Sequence, residues 1–135
     1  MMKEYKVTVN SYGTREWYRN NKRHREDGPA VEFASGSKEW WLNDQRHRED
    51  GPAIEFTSGD KEWWLNGQLH REDGPAIEEV SDTKWWYRNG KLHREDGPAV
   101  EFADGTKRWY LNDKKLTQKE FNESTGGKEL TVAGV

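Results

Sequence analysis

His47-Arg48-Glu49-Asp50-Gly51-Pro52-Ala53 is one of four identical segments in this chain of 135 residues. The others begin at His24, His70 and His93, so the spacing is a constant 23 residues. A fixed period of this length signals a repeat architecture. Seven positions before each His stands a Trp: Trp17, Trp40, Trp63 and Trp86. Trp109 continues the series, with Leu116 in place of a fifth His.

Each repeat carries two turn signals. One is Ser35-Gly36, Ser58-Gly59, Ser81-Asp82 and Asp104-Gly105. The other is Asn43-Asp44, Asn66-Gly67, Asn89-Gly90 and Asn112-Asp113, preceded by Asn20-Asn21. Asn-Gly and Asp-Gly favour two-residue hairpin loops, because both central residues need positive φ. Pro cannot donate to a β-ladder, so Asp-Gly-Pro is a third break. The expected fold is all-β: a solenoid-like antiparallel meander of 23-residue hairpin repeats. It divides into an N-terminal cap (1–16), four to five repeats (17–116) and a C-terminal cap (117–135).

The turns set an expected register. A Ser35-Gly36 loop puts Phe33 opposite Lys38 and Val31 opposite Trp40. An Asn43-Asp44 loop puts Trp40 opposite His47 and Trp41 opposite Arg46. Side chains alternate along a strand. Val31, Phe33, Trp40, Leu42 and His47 then share a core face. Ala30, Glu32, Glu39, Trp41, Arg46 and Arg48 share a half-open one. In the third repeat Glu79 takes the Phe position and should face Lys84, with a local irregularity. Tyr5 to Val9 reads as a leading strand, out of phase with Val31 and Phe33. Thr117 and Glu120 match a capping box, predicting a short helix over 118–123 that Gly126-Gly127 ends. Leu130 to Val132 could add a last strand.

Hydrophobic residues make up 31% of the chain and charged residues 35%. Such a balance suits disorder, but eight Trp, five Tyr and four Phe argue for a packed sheet. The net charge of −3 offers no general basic face for nucleic acid. The expectation is no sequence-specific nucleic-acid binding. Without cysteine there is neither a disulfide nor a thiolate site. No stretch approaches the roughly 18 apolar residues of a membrane span. The first nine residues lack a signal-peptide core. A cytoplasmic location, the host cytoplasm if the chain is viral, is therefore expected.

The histidines invite a metal reading, but equivalent residues lie about 10–14 Å apart at about 4.8 Å per strand. Metal ligands must converge to about 2 Å. A His stacked on its cross-strand Trp is expected instead, with no cofactor. Glu and Asp adjacent on a strand point to opposite faces, which opposes an acid/base pair. No nucleophile accompanies them, so an enzyme is not expected. Asp27, Asp50, Asp73 and Asp96 suit caps on the Gly-Pro turn, and Arg and Glu suit a ladder between repeats. The second aromatic position (Tyr18, Trp41, Trp64, Tyr87, Tyr110) is the most suggestive. A ring beside Arg suits a nucleobase and its phosphate. Trp41, Trp64 and Tyr87 would stack, while Arg48, Arg71 and Arg94 would hold phosphate. Tyr18 with Arg25, and His47, His70 and His93, complete the candidate set. The alternative is that these rings bury the second face or a dimer contact.

Trp-(Trp/Tyr)-x-Asn-Gly-Lys-x-His, followed by a strand and Asp-Gly, resembles the MORN repeat. That family usually has Gly soon after the His, where this chain has Arg25, Arg48, Arg71 and Arg94. The His-Arg-Glu-Asp-Gly-Pro-Ala form is more similar to a variant repeat of bacteriophages and large DNA viruses. Leu116 to Phe121, Leu-Thr-x-x-x-Phe, looks like the tails on such phage proteins. The resemblance spans residues 17–121. It implies a sponge that sequesters small anionic nucleotide signals of host defence, of cyclic oligonucleotide or ADP-ribose type. The pairing of a ring with Arg in every repeat favours that reading, and the alternative is a scaffold binding a host or self partner. Exposed sheet edges add the expectation of a homodimer.

Overall fold

The computed structural model describes residues 4–126. Contacts divide the chain into two compact units, one ending at Leu69 and the other beginning at His70. The first contains β1 (Lys6–Val9), β2 (Arg15–Arg19), β3 (Lys22–Arg23), β4 (Val31–Glu32), β5 (Lys38–Glu39) and β6 (Trp41–Leu42). It continues through β7 (Gln45–Arg46), β8 (Ile54–Glu55), β9 (Lys61–Glu62), β10 (Trp64–Leu65) and β11 (Gln68–Leu69). The second contains β12 (Ile77–Glu78), β13 (Lys84–Trp85), β14 (Tyr87–Arg88) and β15 (Lys91–Leu92). After these come β16 (Val100–Glu101), β17 (Lys107–Leu111), β18 (Lys114–Leu116) and α1 (Gln118–Ser124).

The fold is the expected antiparallel meander of hairpin repeats with a short C-terminal helix. In the first unit the sheet runs β1-β2-β4-β5-β8-β9, with β3 also on β2. In the second it runs β12-β13-β16-β17-β18. Interior repeats send out a small second hairpin: β6–β7, β10–β11 and β14–β15.

The Asn turns behave as the sequence predicts. Asn43 and Asp44 have φ of 48° and 65°, and Asn66 and Gly67 have 50° and 78°. Trp41 pairs with Arg46 and Leu42 with Gln45, while the His47 amide donates to the Trp40 carbonyl.

The Ser-Gly hairpins differ from expectation by one position. Val31 pairs with Glu39 and Glu32 with Lys38. Phe33 and Ser37 close a three-residue loop, in which Gly36 has φ of 101° and donates to the Phe33 carbonyl. Only one residue of this loop needs the left-handed region, and that selects the longer loop. The third repeat follows the same correction: Glu78, not Glu79, faces Lys84. Asp82 takes the glycine's conformation there at φ of 73°, so the backbone shows no irregularity.

The core is correspondingly different. Ala30 and Val31 are both buried, as are Ala53 with Ile54 and Ala99 with Val100. The alanines stand just before their strands, and Val31 shares a face with its partner Glu39, which the expected register puts on the other face. The expected division into one core face and one half-open face does not hold at this point. Phe33 and Phe56 flank the loops and are exposed.

The capping box is present. The Glu120 amide donates to Thr117 Oγ1 at 3.1 Å, and the Thr117 amide to Glu120 Oε1 at 2.8 Å. α1 buries Phe121 completely. At the N-terminus β1 forms as expected, with Val7 and Val9 exposed. The expected strand at Leu130 to Val132 and the break at Gly127 lie outside the described residues. Among those residues no helix is long and apolar enough to cross a membrane.

Candidate functional site

The repeated segment is a side-chain clamp on its own turn. Arg48 Nε donates to Asp50 Oδ1 at 3.1 Å. Its NH1 donates to the Pro52 carbonyl and to Glu55 Oε2, both at 3.0 Å. Arg25, Arg71 and Arg94 make the same three contacts with their own Asp, Pro and Glu. The Arg48 guanidinium also lies 3.8 Å from the centre of the Trp40 ring. Arg25 covers Trp17 and Arg94 covers Trp86 in the same way. A Cβ on Gly51 would stand 3.1 Å from Arg48 Cζ, so the glycine lets the guanidinium lie close over the turn.

This changes the expected ring–arginine pairing. Arg48 stacks on Trp40, the first aromatic, and not on Trp41. Its main-chain amide donates to the Trp64 carbonyl of the next repeat. The Asp residues bond the arginine of their own segment. In place of the expected ladder between repeats, each of these arginines bonds the Glu seven positions on, within its own repeat.

The histidines are staples. Nδ1 of His24 accepts from the Asn43 amide at 3.0 Å, and Nδ1 of His47 from the Asn66 amide at 2.9 Å. His70 with Asn89 and His93 with Asn112 repeat the contact at 3.0 Å. Accepting at Nδ1 places the proton of a neutral ring on Nε2. Nε2 faces the segment's Glu at 3.3 Å in His24 and 3.4 Å in His47. Each ring thus ties one repeat to the turn of the next.

The second aromatics have other arginine partners. Arg46 lies 4.9 Å from the Trp41 ring and 5.1 Å from the Trp64 ring, and Arg23 lies 5.2 Å from Trp41. Trp41 Nε1 donates to Glu39 and Trp64 Nε1 to Glu62, each at 2.9 Å. Tyr18 donates to Glu16, which also accepts from Arg23 Nε and NH2. The Tyr18 hydrogen bond, helped by Arg23, holds the Glu16 carboxyl below the usual range, and the same bond to Glu16 pushes the Tyr18 phenol up against the opposing effect of Arg23. Arg46 is less well served: NH2 is 3.8 Å from Glu39, and its buried Nε has no partner. Arg23 and Arg46 were not among the candidate ligand residues. The signal was available, because the Asn-turn register already put Trp41 opposite Arg46. In the second unit Leu92 faces Tyr87 and Lys115 faces Tyr110.

Open clefts lie between successive clamped turns. One of about 670 Å³ has Trp40 and Leu42 at its base, with Glu26, Asp27, Glu49 and Asp50 along it. Its counterpart in the second unit, about 530 Å³, has Trp86 and Arg88 with Glu72, Asp73, Glu95 and Asp96. The Asp50 and Glu49 side chains are 87% and 83% exposed. The clamp arginines line these clefts too, Arg25 and Arg48 in the first and Arg71 and Arg94 in the second, so each combines a Trp with its covering Arg and four carboxylates. Among the described residues no three His, Asp or Glu side chains converge as a metal would require.

Fold and site together define a β-hairpin repeat protein with an equivalent cleft in each unit. Comparison with protein-family models gives no match, and neither does comparison with curated protein sequences.

Proposed function

We propose that this chain is a non-catalytic binding protein that grips a protein partner through its repeated clefts. The observation that carries this reading is the use of Arg25, Arg48, Arg71 and Arg94. Each spends its guanidinium on its own turn, so the strongest phosphate donors of the repeat are already engaged. The clamp arginines in the clefts are already engaged, whereas the Asp50 and Glu49 carboxylates are exposed, which suits basic side chains of a partner. A cleft of the same kind in each unit fits a partner that is itself repetitive in charge better than one compact ligand.

The nucleotide-sequestering role implied by the repeat's resemblance has one supporting observation. In the first unit Arg23, Trp41, Arg46 and Trp64 alternate along one strip, with an unpaired Nε on Arg46. Calorimetry against cyclic dinucleotides, cyclic trinucleotides and cyclic ADP-ribose isomers separates the two readings. The scaffold reading expects no heat from the panel. It also expects a specific host protein in pull-downs, lost on Asp27→Lys/Asp50→Lys substitution. Saturable binding of a panel nucleotide, with more than one site per chain, would overturn it in favour of sequestration.

A further inference from the structure

The two outermost strands are finished differently. β18 carries Lys114 and Lys115, and α1 packs on β17 and β18 with Phe121 buried. Lysines and a covering element are the usual protection of a sheet edge. β1 pairs only with β2 among the described residues. Its Val7 and Val9 are 47% and 61% exposed, whereas Val31, Ile54 and Val100 in the sheet are 4% or less. Lys6 and Thr8 alternate with the valines and point to the other face, so the charge on the valine face comes from β2, where Arg15 pairs with Val9.

Hydrogen-bond alternation fixes which groups lie on the outer edge. The Asn10 amide donates inward to the Thr14 carbonyl. In an antiparallel ladder, alternate residues bond to the same side, so Thr8 and Lys6 also face β2. Val7 and Val9 then direct their N–H and C=O groups outward. The same two residues hold both the free main-chain groups and the exposed apolar side chains.

We infer that β1 is a self-association edge that pairs antiparallel with β1 of a second copy, centred on Thr8. In that register Val7 of each chain faces Val9 of the other, and they exchange main-chain hydrogen bonds in both directions. The four valines form one apolar cluster, and Thr8 faces Thr8, a favourable cross-strand pair. Lys6 falls opposite Asn10, so no like charges oppose each other. A twofold interface must be self-complementary, and this sequence is. One short strand buries less than the roughly 1,200 Å² of a permanent complex, so the dimer should dissociate on dilution.

Sedimentation equilibrium of the full chain over a concentration series tests this. The weight-average mass should rise from 15.9 kDa towards twice that value. Val7→Lys/Val9→Lys should remain at the single-chain mass with an unchanged circular dichroism spectrum. Val9→Pro is a second probe: it removes an outward donor, leaves the β1–β2 bonds in place, and should also give a monomer. A mass independent of concentration at 15.9 kDa would overturn the inference. So would a dimer that persists in folded forms of both variants.

Discussion

The two units differ at one position of the repeat and agree at another. Across the Asn turn from the second aromatic, the first unit has Arg23 and Arg46 before ending on Leu69. The second unit has Leu92 and Lys115. The hairpins close alike in every case. The clamp arginine, by contrast, is present in all four segments and makes the same contacts in each. A side chain that the architecture uses recurs in every repeat. A side chain that can change without altering the hairpin is free to serve a surface role. By this test Arg48 is structural, and Arg46 is where binding specificity has room to vary.

The largest expected effect is loss of a clamp. Arg71→Ala should cost about 2–3 kcal/mol, because the Pro75 carbonyl and Glu78 lose a charged donor. Urea unfolding measures it, and a loss below about 0.5 kcal/mol, typical of a plain surface site, would contradict the clamp. Next is the staple. His24→Ala removes a buried ring and the acceptor of the Asn43 amide, for about 1–3 kcal/mol. Hydrogen exchange should show that amide among those most accelerated. An unchanged Asn43 rate would remove the staple from the account.

Leu92→Arg sharpens the comparison by carrying the first unit's strip into the second. Stability should change by no more than about 0.5 kcal/mol, as for a surface substitution. A larger loss would mean that the position is structural after all.

The smallest effect lies at the cap. The Thr117 amide bonded to Glu120 holds that carboxyl below its usual range. Its folded pKa is depressed, so the contribution is present above the ordinary glutamate range and is lost as pH falls through the folded value. Glu120→Gln should flatten that part of the acid limb of thermal melts. An unchanged limb would show that the box does not act this way.

Much of the fold was legible in the sequence because its signals are local. The 23-residue period, the Asn-turn register and the Thr117–Glu120 box each depend on residues a few positions apart. The Ser-Gly hairpin lies one position from its expected register, since Gly36 marks a left-handed residue equally well in two- and three-residue loops. That slip carried Ala30, Phe33 and Glu79 to the wrong neighbours. The site was less legible because its key contact bends around a corner. Trp40 lies between β5 and β6, and Arg48 reaches back to it rather than to Trp41. Spacing along the chain cannot show which of two adjacent rings a long side chain covers.

The central claim is that the repeated His-Arg-Glu-Asp-Gly-Pro-Ala segment builds the fold, while the neighbouring arginine strip does not. It is tested most directly by thermal unfolding of Arg48→Ala beside Arg46→Leu. The account predicts a melting temperature lowered by several degrees in Arg48→Ala, about 2–4 °C or more per kcal/mol, and one near the parent value in Arg46→Leu. Equal midpoints, or a lower one for Arg46→Leu, would contradict it.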